Sequence, residues 1–234
     1  MSSLHTMRTV KSFVKRAGRI TKRQKNAIKN HLSTYQIPYQ AAEINFELYF
    51  KRTLPIIVEI GFGMGDSLIT MSQNQPDRNF IGIEVYDPGV GNIVDHIHNL
   101  QLDNLKVMQH DAVQIFKHCI INNSLAGVQI FFPDPWPKKR HHKRRLVNPD
   151  FVALVTEKLQ DNGFIHFATD VEEYAEVAGE IFNSIPALEY SFEGGVLQEN
   201  RRPQTKFEAR GKKLDHAIWD IICYKRHDLI GLTS

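Results

Sequence analysis

The sequence predicts a doubly wound α/β fold with about seven strands, mostly parallel, and three observations support it. From residue 55 onward, short apolar runs rich in β-branched residues alternate with segments long enough for helices. Each run is nearly continuous, which is typical of a strand buried on both faces of a parallel sheet. The last two runs are joined by a polar, glycine-containing linker with little room for a helix, which indicates an antiparallel hairpin at one sheet edge.

Five predicted parallel strands come first: IIVEIG (56–61), FIGIEVY (80–86), LKVMQHD (105–111), VQIFFPD (128–134) and FIHFATD (164–170). The predicted terminal hairpin pairs LEYSF (188–192) with HAIWDIICYK (216–225). Asn148-Pro149 and Asp87-Pro88 each match a helix N-cap followed by proline at the first helical position.

Composition bounds the class of protein. The chain has 234 residues, of which 42% are hydrophobic and 24% charged, as in ordinary globular domains. No apolar run approaches the ~20 residues that a membrane helix needs, so we expect no membrane partner. Two unpaired cysteines, Cys119 and Cys223, argue against a disulfide scaffold and suit the cytoplasm. The oligomeric state stays open.

Positive charge is concentrated in two places. Residues 1–42 hold nine Lys and Arg and no acid, and residues 138–145 hold six more. The rest of the chain has 14 cations against 26 acids. Such patches on an acidic body predict a polyanionic partner. We therefore divide the chain into a basic, irregular arm (1–42) and a single domain (43–234). A transit peptide or a tail without a role are the alternatives for the arm.

A glycine loop, EIGFGMG (59–65), follows the first predicted strand. Gly61, Gly63 and Gly65 let the backbone turn tightly and approach a ligand closely. A carboxylate at Glu59 would repel the diphosphate of a dinucleotide but would balance a cationic ligand. S-adenosyl-L-methionine is such a ligand, because it has a sulfonium, an ammonium and no phosphate. A nicotinamide cofactor is the disfavoured alternative.

Acidic residues close the next three predicted strands. Glu84 lies where a carboxylate accepts from ribose hydroxyls, and Asp111 lies where an acid accepts from an adenine amino group. Any one of them alone could be a polar exit from the sheet or a helix cap. Asp134 follows the fourth strand, and the flanking Pro133 and Pro135 fix the backbone on both sides.

Asp134 is the predicted catalytic residue. Consider methyl transfer to N7 of a guanine as the reaction at this site. It needs no general base, since that nitrogen carries a lone pair and no proton. A fixed carboxylate would orient the guanine or offset the positive charge of the product. The alternatives are a cap on the next turn or a contact to the cofactor ammonium. Trp136 offers a flat face, with a packing role as the alternative.

Cations then follow in KKRHHKRR (138–145), where we expect phosphate contacts that position the RNA without reading its sequence. The predicted RNA-binding residues are Arg140, His141, His142, Lys143, Arg144 and Arg145. The two histidines lack a nearby acid or cysteine at ligand spacing, so no metal site is predicted.

These motifs together resemble a known family. EIGFGMG, IEVYDPGVG, HDA, QIFFPDPWPKKRHHKRR, ATD and TKFEARG, in this order, resemble the bacterial tRNA (guanine-N7-)-methyltransferases of the TrmB type. The resemblance runs from KSFVKRAGRITKRQ (11–24) to the final strand, and the match at its start implies that the basic arm (1–42) contacts RNA. It implies a Rossmann-like seven-stranded sheet with an antiparallel last strand and helices on both faces. It also implies S-adenosyl-L-methionine as cofactor and a guanosine in the tRNA variable loop as target.

The resemblance also implies site residues. Cofactor contacts fall on Glu59, Glu84, Asp111 and Asp134, and catalytic importance on Asp134. Substrate contacts fall on Lys138, Asp170, Thr205, Lys206, Phe207 and Glu208. Helix capping is the alternative for Asp170, and a plain turn is the alternative for Thr205, Lys206 and Glu208. Rival functions are methylation of another RNA, a catalytically silent RNA-binding module and a nicotinamide oxidoreductase.

Overall fold

A computed structural model describes Phe13, residues 18–191, Pro203 and residues 217–227 of the chain. Its sheet has the strand order β3-β2-β1-β4-β5-β7-β6. The strands are β1 (Ile56–Ile60), β2 (Asn79–Ile83), β3 (Leu105–Met108), β4 (Leu125–Phe131), β5 (Leu159–Thr169), β6 (Leu188–Ser191) and β7 (Trp219–Lys225). The helices are α1 (Lys22–Tyr35), α2 (Asp66–Asn74), α3 (Asp87–Leu100), α4 (Ala112–His118), α5 (Pro149–Lys158) and α6 (Glu172–Ser184). Two 3₁₀ helices cover Phe46–Tyr49 and Lys139–Arg144.

Strand directions confirm the predicted fold. Strands β1 to β5 pair in parallel, and β7 runs antiparallel to both β5 and β6. Strand β7 thus lies between β5 and the edge strand β6, where it completes the predicted hairpin. Between β5 and β7, His166 Nε2 lies 2.8 Å from Asp220 Oδ1, which pairs two polar side chains inside the sheet.

The sheet is buried on both faces. In β1, Ile56, Val58 and Ile60 enter the hydrophobic core that contains Phe116 of α4 and Phe151 of α5. Ile57, which points the other way, enters a second core formed with α2 and α3. This double burial explains the continuous apolar runs in the sequence and confirms helices on both faces.

The basic arm contains an ordered helix, so the predicted irregular conformation is wrong for Lys22–Tyr35. Thr21 and Gln24 form a capping box at the start of α1, which satisfies backbone N–H groups that the helix leaves unpaired. Ala27 and Gln24 are buried, and α1 packs against α3 where Gly91 has no side chain. A Cβ at Gly91 would lie 2.8 Å from Gln24. The division at residue 42 stays a prediction.

The two predicted helix starts had different outcomes. Asn148 caps α5 by accepting from Phe151 N, with Pro149 at the first helical position, as predicted. For α3 the prediction is wrong by one residue, because Tyr86 holds the cap position and Asp87 already has helical geometry. Within the described residues, no helix is long and apolar enough to cross a membrane.

Candidate active site

A cleft of about 360 Å³ opens at the carboxyl ends of β1, β2 and β4. Ligands of parallel α/β folds bind at this end of the sheet. Of the predicted site residues, Gly61, Gly63, Glu84 and Asp134 line the cleft. Residues far apart in the sequence thus meet in one cavity of a size that suits a small-molecule cofactor.

The glycine loop forms one wall of this cleft. Gly61, Gly63 and Gly65 have φ values of 74°, 59° and 82°, in the left-handed region that favours glycine. A Cβ added at Gly61 or Gly63 would meet no protein atom within 4 Å. Their missing side chains leave open space toward the cleft, which fits a ligand that lies against the backbone. Gly65 has a different role. It is the N-cap residue of α2, and its backbone lies against the side chain of Ile93.

Glu84, directly after β2, has its carboxylate held by backbone N–H groups. Val85 N donates to Oε1 at 2.7 Å and Tyr86 N at 3.1 Å, while Gly63 N donates to Oε2 at 2.9 Å. Burial raises the pKa of Glu84, and these hydrogen bonds act in the opposite direction. Glu84 therefore fixes the glycine loop and presents an oriented acceptor to the cleft.

Glu59 and Asp111 lie beside the cleft. Glu59 is a buried residue of β1, two positions before Gly61. Asp111 caps α4 by accepting from Val113 N at 3.0 Å. The structure therefore confirms that Asp111 caps a helix. Its neighbours His110 and Ala112 line the cleft. The cofactor contacts of Glu59 and Asp111 stay predictions.

Asp134 lies in the proline loop, Phe132–Trp136, on the wall of the cleft. Phe132 and Trp136, which bracket it, have φ values of 50° and 47°. Each non-glycine residue in this region costs roughly 1–3 kcal/mol and persists only when the surroundings fix it. Phe132 N donates to Ala168 O of β5 at 2.8 Å, which is one such restraint. The negative charge of Asp134 also contributes to the raised pKa of Glu84.

The basic segment, Lys138–Arg145, follows the proline loop and forms a 3₁₀ helix over most of its length. Its exposed members are Lys138, Lys139, Arg140 and Lys143. Partial burial and the cations nearby, Arg140 first among them, lower the pKa of His141, which favours the neutral imidazole. Within the part of the chain that the structure describes, no three His, Cys, Asp or Glu side chains cluster as metal ligands.

Trp136 carries the guanidinium of Arg144 on its ring, 3.9 Å from the ring centroid. The Trp136 and His141 rings are perpendicular, with centroids 5.8 Å apart. Arg144 Nη2 also lies 3.5 Å from Phe13 O, and Phe13 lines the cleft. Arg144 thus packs on Trp136 and contacts a residue of the cleft wall.

Arg145 is placed differently from the rest of the basic segment. Only 3% of its surface is exposed, and its guanidinium pairs with both carboxylate oxygens of Glu173. The Arg145 guanidinium is thus held by protein groups, and its phosphate contact stays a prediction.

The remaining substrate positions divide into described and undescribed residues. Asp170 is half-buried just after β5, but Val171 holds the N-cap position of α6, which no side chain caps. The capping alternative for Asp170 is therefore wrong, and substrate contact stays a prediction. Thr205, Lys206, Phe207 and Glu208 lie outside the described residues.

Sequence reasoning missed residues that support the cleft through tertiary contacts. Buried Asn92 of α3 donates to Met64 O of the glycine loop at 2.8 Å and accepts from Arg23 of α1 at 3.0 Å. His110, which lines the cleft, stacks on Tyr39 with ring centroids 3.8 Å apart. No sequence motif marks these pairings, because their members lie about 30 to 70 positions apart.

Solved structures share the fold at low sequence identity. An aminoglycoside resistance methyltransferase, NpmB1, superposes with a TM-score of 0.52 at 12% identity, over 89% of this chain and 95% of the other. The antibiotic-resistance methyltransferase Kmr gives a TM-score of 0.51 at 8% identity, over 74% and 87%. These similarities identify the class I methyltransferase fold.

Sequence relatives are much more similar. A putative methyltransferase family model matches residues 53–221. The tRNA (guanine-N(7)-)-methyltransferase of Vibrio vulnificus strain YJ016 is 49% identical over 92% of this chain and 91% of its own length. The protein of the same name from Histophilus somni strain 2336 is 46% identical over 93% and 88%. With this identity over nearly its whole length, the chain belongs to the tRNA (guanine-N7)-methyltransferase family.

Proposed function

We propose that this protein transfers a methyl group from S-adenosyl-L-methionine to N7 of a guanosine in the variable loop of tRNA. The observation that carries the proposal is the shared cleft, in which the glycine loop and Glu84 face Asp134 and the exposed basic segment begins four residues later. The family to which the chain belongs supports guanine N7 of tRNA as the acceptor. The variable loop comes from the family resemblance of the sequence motifs.

The cofactor site is proposed on the first half of the sheet. Glu84 would accept from the ribose hydroxyls, and Asp111 from the adenine amino group. Glu59, buried close to the glycine loop, would balance positive charge on the ligand. The open backbone at Gly61 and Gly63 would lie against it. When bound, S-adenosyl-L-methionine supplies an electrophilic methyl group and becomes a neutral thioether after transfer.

Asp134 is proposed to act on the guanine. Its carboxylate accepts from the donor edge of the base, and this orients the N7 lone pair toward the methyl group. As N7 takes the methyl, the ring becomes positively charged, and the fixed anion stabilises that charge. No proton leaves N7, so Asp134 does not serve as a general base.

tRNA binding is proposed on two basic surfaces. Lys138, Lys139, Arg140 and Lys143 are exposed beside the proline loop, where they would contact phosphates near the target base. The second surface is the exposed basic side of α1 and its approach, formed by Arg19, Lys22, Arg23, Lys25 and Lys29. Asp170 and the Thr205–Glu208 stretch would hold the base itself. Cys119 and Cys223, both free and buried, suit action in the reducing cytoplasm.

The test incubates the protein with unmodified tRNA transcripts and cofactor labelled in the methyl group, followed by mapping of the labelled nucleotide. We expect 7-methylguanosine at one position of the variable loop. A transcript with that guanosine replaced by adenosine is the matched control and should take no label. Label on another base, or at another guanosine, would refute the position assigned here.

A binding experiment separates the cofactor from the acceptor. S-adenosylhomocysteine should raise the melting temperature of the protein, and NADH should leave it unchanged. Stabilisation by NADH instead would support the oxidoreductase alternative. Stabilisation by neither ligand, together with tight tRNA binding, would support a silent RNA-binding module.

A further inference from the structure

Arg145 is the buried member of an otherwise accessible basic segment, and its contacts join three parts of the fold. Its Nε donates to Pro135 O at 2.9 Å, which is the carbonyl next to Asp134 in the chain. Its Nη1 donates to Glu173 Oε1 at 3.0 Å, and Nη2 donates to Glu173 Oε2. The guanidinium thus bridges the proline loop and the first turn of α6.

Arg145 also packs on a buried aromatic residue, Tyr174. The Arg145 guanidinium lies over the ring of Tyr174, 4.7 Å from the centroid. Tyr174 is fully buried and accepts from Val147 N at 3.2 Å. Planar contact with an aromatic ring and two-pronged pairing with a carboxylate both need the geometry of arginine, which lysine lacks. The position therefore uses the shape of the guanidinium and not only its charge.

The proline loop needs such a restraint. Phe132 and Trp136 have left-handed backbone conformations on either side of Asp134, and loops of this kind relax unless their surroundings hold them. Phe132 is fixed from β5 through Ala168 O. Arg145 fixes the other side of Asp134 through Pro135 O.

We propose that Arg145 is a positioning residue, which holds Asp134 in its reactive orientation through the Pro135 carbonyl and Glu173, and that it does not bind RNA phosphates. This inference rests on the proposed methyl transfer, because the orientation matters only if Asp134 acts on the guanine. It replaces the phosphate contact that the sequence predicts for Arg145.

Arg145→Lys tests this role, with Lys143→Ala as the matched control from the exposed part of the segment. Lysine keeps the charge, so a phosphate contact would survive, but it cannot make the Pro135 and paired Glu173 bonds together. We expect kcat at saturating tRNA and cofactor to fall about 10- to 100-fold, as a small misplacement of a reacting group does. The Kd for tRNA and its salt dependence should stay within about twofold of the wild type.

Lys143→Ala should give the opposite pattern. Its tRNA affinity should fall and the salt slope should drop by about one, with a smaller loss of kcat at saturation than in Arg145→Lys. Glu173→Gln is the second variant, since it removes one anchor of Arg145 and leaves Arg145 in place. It should lower kcat in the same direction as Arg145→Lys, and melting curves of all variants establish that each is folded at the assay temperature.

The possible results separate two failures. If wild-type protein transfers no methyl group to tRNA, the proposed function is refuted and the positioning role falls with it. If the wild type is active and Arg145→Lys retains full kcat, only the positioning role is refuted. Arg145→Ala, measured in parallel, gives a second check. If it lowers tRNA affinity and the salt slope as Lys143→Ala does and leaves kcat unchanged, the positioning role is again refuted.

Discussion

The two halves of the cleft hold their carboxylates by different means. Glu84 accepts hydrogen bonds from the backbone of Val85 and Tyr86, its immediate neighbours, and from Gly63 of the adjacent loop. Asp134 is placed by a strained loop, and side chains and strands distant in the sequence hold that loop. Two of the three hydrogen bonds to Glu84 thus come from its immediate neighbours in the chain. The bonds that hold the proline loop come instead from other elements, namely β5 and the end of the basic segment.

Removal of the Asp134 carboxylate should have the largest effect. Asp134→Asn keeps the size of the side chain and removes its charge, so kcat should fall on the order of 10²–10³-fold, as for other groups that stabilise transition-state charge. Binding of tRNA should be nearly unchanged. Single-turnover rates and filter binding measure the two quantities. Asp150→Asn, at an exposed position in the first turn of α5, is the control and should behave as the wild type. If Asp134→Asn kept a kcat close to that of the Asp150→Asn control, the role of Asp134 would be contradicted.

A pair of glycine substitutions should sharpen the comparison within the first half. Gly63→Ala and Gly65→Ala both place alanine at positive φ, at a cost of about 1–2 kcal/mol. Only at Gly65 does the new Cβ also approach a protein atom, Ile93 Cδ1 at 2.9 Å. Gly65→Ala should therefore lower the melting temperature more than Gly63→Ala. Gly63→Ala should instead weaken S-adenosylhomocysteine binding by at least about tenfold, because its methyl group fills space next to the ligand.

Scanning calorimetry of both variants measures their melting temperatures, and titration calorimetry measures their affinities for S-adenosylhomocysteine. Equal losses of stability together with unchanged ligand affinity in Gly63→Ala would show that the open wall at Gly63 is not the ligand cradle. The paired design matters because both variants place alanine at positive φ, whereas only Gly65→Ala adds the close approach to Ile93.

Much of the first half was predictable from the sequence, and the reasons are physical. Continuous apolar runs identified the buried strands, because a doubly covered sheet admits few polar residues. The glycine spacing identified a tight turn, and all three glycines have positive φ in the structure, a conformation that other residues rarely adopt. Asn148-Pro149 identified the start of α5 because the cap and the proline are adjacent in the chain.

Features that the sequence does not mark depend on contacts that are not local. Arg145 is indistinguishable from Arg144 in the sequence, but in the structure Arg145 is buried against Pro135, Glu173 and Tyr174, whereas Arg144 is half-buried on Trp136. Residues 22–35 look like part of a basic tail in the sequence, although the capping box at Thr21 and Gln24 is a local signal that indicates the start of α1. The packing of this helix is seen only in the structure, where Gln24 lies against Gly91.

The pH dependence of cofactor binding should report on Glu84. Burial raises the folded-state pKa of this carboxyl above its ordinary value of 4.5. The ionised form is the acceptor for ribose, so affinity for S-adenosylhomocysteine should begin to fall, as pH is lowered, at a higher pH than an exposed Glu would produce. Glu84→Gln should bind more weakly, on the order of tenfold, and without that pH dependence. Titration calorimetry from about pH 8 to pH 4 measures both. Equal affinities of the wild type and Glu84→Gln at every pH would contradict the role of the carboxylate.

The smallest expected effect concerns the stability contributed by Glu173 in the second half. Hydrogen bonding to Arg145, followed by the nearby charges of Arg145 and His142, lowers the pKa of Glu173 below its ordinary value of 4.5. An acid with a lowered folded-state pKa stabilises the fold above its unfolded-state pKa, and this contribution is lost as pH falls through the folded-state value. Glu173→Gln should therefore melt slightly below the wild type at neutral pH, and the difference should shrink as the pH falls below about 4.5. Since half of the Glu173 side chain is exposed, the difference should be small even at its largest.

Melting curves of the wild type and Glu173→Gln across this pH range, with Asp150→Asn as the control, measure the difference. A difference that grows toward acid pH would mean that Glu173 is held in its protonated form, and the proposed ionic anchor for Arg145 would then be absent.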